Sequence, residues 1–350
     1  MHEVNLSRRH MCASLLAGGA LLALRPAFAA GPRVVSFYGD QRVALPARIE
    51  RVATTWEAQN SIIAMLGYGD RIVATTRIVH DMPVFRRFVP SIAKAGIAGS
   101  SGSEINIEEL MTLRPDVLFV AGKLPPERRS QIEQAGIAVV VLHDNSLTAL
   151  VERTLITGEI LGPDALRKAQ DYRDYFAHNV TRVREAVARI PANQRVKLYH
   201  ALGEPLSTSG RPSLNQDWMD LGGAINVAEH WIPGGGYGTG KVSLEQIVAA
   251  DPEAIVAMRG VDAEAIRHDV RWQNVRAVRD GRVYVNPRGM FWWCRETSEE
   301  ALQFLWLAKT LYPDALPGVD MNKETADFYH RFYGYKLSDS EVDEFLHPRS

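Results

Sequence analysis

Three aromatic residues running toward an arginine, in the stretch Met290-Phe291-Trp292-Trp293-Cys294-Arg295, carry the strongest chemical suggestion in this 350-residue chain. Aromatic faces hold flat or greasy molecules, and a guanidinium pairs with carboxylate or catecholate oxygens. Such rings are costly to leave exposed without a use. Trp292, Trp293 and Arg295 are therefore candidate ligand contacts. The other reading is buried packing for the two tryptophans and a structural ion pair for Arg295. Cys294 reads as a small buried hydrophobe. His80, His143, His200 and His230 could ligate a bare metal, yet none forms a close pair such as His-x-x-x-His, so no metal site is assigned. His80 beside Asp81 and His200 at a strand end come nearest to one. The run Gly235-Gly236-Tyr237-Gly238-Thr239-Gly240-Lys241 imitates a phosphate loop, but Val242 lacks the required hydroxyl and Ile232-Pro233 precedes it instead of a strand. It reads as a mobile loop near a cleft mouth. With no nucleophile elbow and no cysteine set, an enzyme is not expected.

These residues must be positioned by a duplicated α/β unit. Ile105-Asn106-Ile107-Glu108-Glu109-Leu110 leading to Arg114-Pro115-Asp116-Val117-Leu118 is echoed by Val242-Ser243-Leu244-Glu245-Gln246-Ile247 leading to Asp251-Pro252-Glu253-Ala254-Ile255. Each copy predicts a short helix capped by Asn106 or Ser243, with Glu109 or Gln246 reaching back to the cap amide, then a strand. Met65-Leu66-Gly67 before Arg71-Ile72-Val73 likewise resembles Asp220-Leu221-Gly222 before Ile225-Asn226-Val227. Arg33–Tyr38 and Arg42–Leu45 predict a hairpin about Gly39-Asp40. Strands are expected at Arg51–Thr54, Arg71–Thr75, Asp116–Ala121 and Ala138–His143, then at Arg195–His200, Ala254–Met258 and Arg282–Val285, alternating with helices. The fold class is α/β: two similar lobes, each a central parallel sheet flanked by helices. Pro163 to Ile190, uninterrupted by Gly or Pro, predicts one long helix of about 40 Å joining them. The division is 30–160 for the first lobe, 161–191 for the connecting helix and 192–350 for the second lobe with its helical tail. Phe328, Tyr329, Phe332 and Tyr333 in that tail read as packing residues.

Between such lobes lies a cleft, and ligand contacts belong in the loops at the carboxyl ends of the strands. In the first lobe these are Trp56, Arg77, His80, Ser101 and Lys123; in the second they are His200, Trp292, Trp293 and Arg295. A stiff helical link predicts a clamp of small amplitude.

Residues 1–29 read as an export signal. Ser7-Arg8-Arg9 matches the twin-arginine route, an apolar run spans Ala13–Leu24, and Ala27-Phe28-Ala29 suits a signal peptidase. That run falls short of the about 20 residues a membrane-spanning helix needs. Without residues 1–29 the chain has 37 (40 less 3) basic residues against 40 (41 less 1) acidic ones, which gives no pull toward nucleic acid. Cys12 would leave with the signal, so Cys294 stands alone and an internal disulfide is excluded.

The chain resembles the helical-backbone class (class III) of ABC-importer periplasmic substrate-binding proteins, of the iron-siderophore, haem and cobalamin type. The resemblance rests on Arg51-Val52-Ala53-Thr54 with Ala64-Met65-Leu66-Gly67 and Asp70-Arg71-Ile72-Val73, on Ile107-Glu108 to Pro115-Asp116, on Leu221-Gly222-Gly223-Ala224-Ile225-Asn226, and on Val242-Ser243-Leu244-Glu245. It implies a monomeric periplasmic protein that captures an iron chelate, a ferric siderophore first and cobalamin or haem second, and hands it to an ABC permease with its ATPase subunits. An exported metal-cofactor enzyme is the rival class. No cofactor is implied; iron would enter as part of the cargo. The resemblance also implies that Glu108 and Glu245, one per lobe, dock on permease arginines, whereas the residues alone equally allow them only to complement their helix dipoles. Relatives carry a Trp-acid-Arg-Pro-Ser run where this chain has Trp293, Cys294, Arg295 and Glu296-Thr297. Cys294 thus replaces the acid and Glu296-Thr297 the proline.

Overall fold

The computed structural model describes residues 31–99, 105–232 and 239–348. The expected signal, Ser101 and most of the glycine-rich run 235–241 lie outside these residues. Strands β1 (Arg33–Phe37) and β2 (Gln41–Leu45) form an antiparallel hairpin, with Tyr38 and Gly39 at positive φ in the turn. β3 (Val52–Thr54), β4 (Ile72–Thr76), β5 (Gly96–Gly99), β6 (Val117–Ala121) and β7 (Ala138–Leu142) form a parallel sheet in the order β5-β4-β3-β6-β7.

In the second half, β8 (Lys197–Ala201) is followed by β9 (Ser207–Ser209), β10 (Ile225–Asn226), β11 (Thr239–Lys241), β12 (Ala254–Ala257) and β13 (Val283–Val285). The parallel order is β10-β8-β12-β13, while β9 and β11 pair as a separate antiparallel ribbon. Matching β4-β3-β6-β7 to β10-β8-β12-β13 reproduces the duplication at the level of topology. β5 and the ribbon have no clear apolar alternation, and the sequence does not announce them, whereas the two-residue β10 is marked only by its likeness to Arg71-Ile72-Val73.

The repeated phrase builds the same joint twice. Helix Ile107–Leu113 is capped by Asn106, whose side chain accepts from the Glu109 amide at 3.1 Å. Helix Leu244–Ala250 carries a full capping box between Ser243 and Gln246. The reciprocal half expected of Glu109 does not form, because the Asn106 N–H is already taken by the Ala98 carbonyl of β5 at 2.7 Å. The Glu109 carboxylate lies instead over Gly96, where a Cβ would come within 2.4 Å of it. Both helices end on a left-handed residue, Arg114 (φ 45°) and Asp251 (φ 44°). The acid after each proline then ties the joint to the neighbouring strand. Asp116 accepts from the Glu50 and Arg51 amides at 2.7 and 2.8 Å, and Glu253 from the Lys197 amide at 3.0 Å.

The connecting helix runs Pro163–Val187 and buries Ala165, Ala169, Tyr172, Phe176, Asn179, Val183 and Ala186, the four-and-three spacing of an amphipathic face. Ala169 packs closely against Gly158 of helix Leu147–Leu161, and Val187 packs against Gly223 of the second half. Tyr172 and Asn179 donate to the Ser298 and Ala301 carbonyls.

Each sheet has a small outer core of its own, with Ala53, Leu118 and Val139 beneath the first and Tyr199, Ile255 and Trp272 beneath the second. Their inner faces share one continuous apolar body that includes Val52, Phe119 and Val140 as well as Leu198 and Val256. The tail, assigned to the second lobe from sequence, crosses back to the first. Phe88 sits 4.7 Å from the Tyr335 ring and 5.1 Å from Tyr329, Arg87 pairs with Glu341 at 3.4 Å, and Tyr333 donates to the Ser61 carbonyl at 3.1 Å. That crossing depends on contacts between distant segments, which helical periodicity does not encode.

A Cβ on Gly158 would lie 2.7 Å from that of Ala169 and 3.0 Å from the Leu166 backbone. Gly158→Leu is therefore expected to destabilise by about 1–3 kcal/mol through overpacking, seen as a lower urea midpoint with unchanged slope. An unchanged midpoint would show that the helix contact is not tight.

Candidate functional site

The carboxyl ends of the two sheets carry the chemistry. β3 leads through Thr54-Thr55 to Trp56, which precedes helix Glu57–Ile63; the Trp56 amide donates to Thr54 Oγ1 at 3.1 Å. Trp56 is only 8 % exposed, and the Arg153 guanidinium covers its ring with Cζ 4.0 Å from the centroid. Arg153, from helix Leu147–Leu161, is fully buried. Its Nη2 donates to the Glu296 carbonyl, and its Nη1 lies 3.6 Å from Glu296 Oε2.

From the second half, β8 delivers His200 with its imidazole fully buried, edge-on to Trp218 at 5.2 Å, and neither ring nitrogen hydrogen-bonded among the described residues. The segment after β13 supplies Trp293, also fully buried, whose Nε1 has no partner among the described residues. Hydroxyls buried without partners among the described residues occur at Thr55 and at Thr76, the last residue of β4, and at Thr208 and Ser209 of β9.

Arg295 is exposed. Its positive field acts on Glu57 of the first half and on His200 of the second. Burial is the larger influence at both. It raises the Glu57 carboxyl above its usual range against the opposing pull of Arg295, and it drives the His200 imidazole down from 6.5 to about 3, where Arg295 adds to the effect. Burial also raises Glu296 and carries Glu300 well above the carboxylate range. Arg153 opposes the rise at Glu296, whose carboxylate lies 3.6 Å from its Nη1. The Cys294 thiol is buried and pushed up by desolvation, which makes it unreactive.

Other sequence candidates fall elsewhere or differently. Arg77 is exposed at the start of helix Arg77–His80, and His80 Nδ1 lies 2.6 Å from Asp81 Oδ1. Lys123 is exposed beyond β6. Among the described residues, no hydrogen bond or ion pair joins these three to Arg295 or His200. The expectation of open aromatic faces is corrected. Trp293 is enclosed by the core, and Trp56 and Trp292 each already carry a guanidinium, that of Arg288 standing 4.3 Å from the Trp292 ring centre. Glu108 and Glu245 are both exposed at the second position of their helices.

Sequence reasoning missed Arg153, Glu57 and the Thr76 hydroxyl. Only Arg153 left a signal, as a lone cation on the apolar side of Leu147–Leu161 with Leu150, Thr154 and Thr157. Among the described residues no group of three His, Cys, Asp or Glu is placed to hold a metal ion. Two surface hollows, of about 630 Å³ beside Arg51 and Arg114 and about 460 Å³ beside Tyr175 and Arg182, lie away from His200 and Arg295. Among the described residues, His200, which feels the charge of exposed Arg295, and the buried hydroxyls of Thr55, Thr76, Thr208 and Ser209 have no hydrogen-bond partners, a chemistry suited to an oxygen-rich anion.

The depressed His200 value has a definite sign. Between about pH 3 and 6.5 the unfolded chain binds a proton that the folded chain refuses, so this stabilisation is complete above about 6.5 and is lost as pH falls toward 3. The urea midpoint of the unmodified protein should therefore fall more steeply from pH 7 to pH 4 than that of His200→Gln. Buried Glu296, Glu299 and Glu300, raised in the fold, act with the opposite sign in both proteins. Parallel pH profiles would refute a buried neutral imidazole.

Residues 52–288 match the family model described as periplasmic binding protein. The molybdate-binding protein MolA of Haemophilus influenzae is 28 % identical over 341 residues, covering 86 % of this chain and 91 % of the relative. The vitamin B12-binding protein of Vibrio cholerae is 23 % identical over 225 residues, covering 63 % and 74 %. Among solved structures, MolA bound to molybdate superposes with a TM-score of 0.78 at 24 % identity, covering 87 % of this chain and 99 % of that one. A periplasmic solute binding protein from Veillonella parvula also gives 0.78 at 24 % identity, covering 90 % and 97 %. The match runs from β3 to the residue that caps Trp292, taking in both sheets, the connecting helix and His200, and the chain belongs to the periplasmic binding protein family, in the helical-backbone class of ABC-importer solute-binding proteins rather than among enzymes.

Proposed function

We propose that this protein captures a small metal oxyanion, with molybdate the first candidate, in the seam between its lobes and delivers it to an ABC permease and its ATPase subunits. The observation that carries this reading is that, among the described residues, His200, Trp293 Nε1 and the strand-end hydroxyls are buried without partners, while Arg295 bears on His200. Buried polar groups without partners are costly, and an anion bearing several oxygens would satisfy many at once in a water-poor setting where each bond is strong. The molybdate-binding relative supports the same cargo. Export by the twin-arginine route, supported by Ser7-Arg8-Arg9, belongs to this reading.

A bulky metal chelate is the second reading: the ferric siderophore favoured by the sequence, or cobalamin or haem. Its support is the vitamin B12-binding relative and the half-buried Trp292 at the seam. The occupied faces of Trp56 and Trp292 weigh against it. Ligand at 100 times its dissociation constant should stabilise the fold by about 2.7 kcal/mol. Molybdate is expected to raise the melting temperature, and Arg295→Ala to abolish the rise. A shift with ferric siderophores and none with molybdate would replace the first reading by the second.

Glu108 and Glu245 serve docking in this proposal. The duplicated joint sets them at matching places on the two lobes, both exposed, and the caps at Asn106 and Ser243 are closed by the amides of Glu109 and Gln246. Reversing both to lysine should stop uptake in cells while leaving ligand affinity of the purified protein unchanged; retained uptake would remove the docking role.

A further inference from the structure

We propose that Arg153 is a positioning residue for ligand capture, acting through Glu296 to fix where Arg295 stands across the seam. The proposal rests on the reading of Arg295 as a ligand contact. Its geometric basis is the backbone of Glu296, which holds φ at 62°, a left-handed conformation rare for a residue with a side chain. Such a conformation persists only where the surroundings over-determine it.

Every polar part of Glu296 is held. Arg153 Nη2 donates to its carbonyl, the Asn145 amide donates to its Oε1 at 2.7 Å, Arg153 Nη1 stands 3.6 Å from its Oε2, and its own amide donates to Glu300 Oε2 at 3.3 Å. Two of the holding groups, Arg153 and Asn145, come from the first half, whereas Glu296 and Arg295 follow β13 of the second. The chain leaves Arg295 directly into this clamped residue, so the clamp sets the direction from which the guanidinium reaches toward Glu57 and His200. Arg153 is itself immobilised against the Trp56 ring, one residue before Glu57. A single buried cation therefore registers both walls of the seam, and it does so without touching cargo.

The test is a double-mutant cycle on the full protein, with molybdate affinity measured calorimetrically. Arg153→Lys keeps the charge and loses the planar fork. It should weaken binding about tenfold in the unmodified background and less than about twofold in an Arg295→Lys background, because residues that act through one another are non-additive. Equal losses in the two backgrounds would overturn the proposal. If Arg153→Lys fails to fold, Glu296→Gln, which retains the bond from Asn145, takes its place with the same expectation. A ligand-free crystal structure of the variant supplies a second readout: Glu296 should leave the left-handed region and Arg295 should move away from Glu57, and an unmoved backbone would refute the idea. If the unmodified protein binds no molybdate, the cargo reading falls, while the ligand-free structure still decides the role of Arg153.

Discussion

Removing a guanidinium from water costs several kcal/mol unless the interior returns comparable interactions. For Arg153 those returns are the face of Trp56, within its own half, and the carbonyl and carboxylate of Glu296 from the other. They coexist only when the two halves stand in one relation to each other. The guanidinium therefore penalises alternative relations, since any that withdrew Glu296 would leave a buried charge half-compensated. The seam's geometry follows from this constraint, because the residues that face it are neighbours of Trp56 on one side and of Glu296 on the other.

Apolar burial reinforces the constraint. Parallel strands covered on both faces must be apolar throughout, and here the two coverings differ. The outer faces have private cores, while the inner faces share one body with the connecting helix and the tail. Wide separation of the lobes would open this body to water, at about 25 cal/mol for each Å² of apolar surface exposed. The tail adds aromatic contacts from the second half onto Phe88 of the first. A clamp built in this way exchanges cargo by small displacements.

Within that frame the electrostatics of the seam are simple. His200 is held neutral by burial, burial drives the Glu300 carboxyl well above its ordinary range, and Glu296 is matched by Arg153. Arg295 is exposed, and among the described residues it has no ion pair. An anion arriving from solvent thus meets one uncommitted cation backed by dipoles that water does not reach, a setting in which specificity depends on hydrogen-bond geometry more than on net charge.

The amino-acid order by itself determined the duplicated α/β unit, the long joining helix and the membership of a transport-protein class. Those features reside in local signals: caps at Asn106 and Ser243, the Pro-acid joints at Asp116 and Glu253, and the uninterrupted apolar spacing from Ala165 to Ala186. It also marked the segment around Arg295 as a place to look. Only the tertiary structure decided which candidates meet. Among the described residues Arg77, His80 and Lys123 have the right chemistry but are not tied to His200, while Arg153 holds Glu296, the residue after Arg295, and Glu57 feels the Arg295 charge. Tryptophans that could stack on a ligand proved to be enclosed or already covered. The physical reason is that capping and periodicity act within a few residues, whereas burial, desolvation and the pairing of Arg153 with Glu296 across 143 positions exist only once the chain has closed on itself.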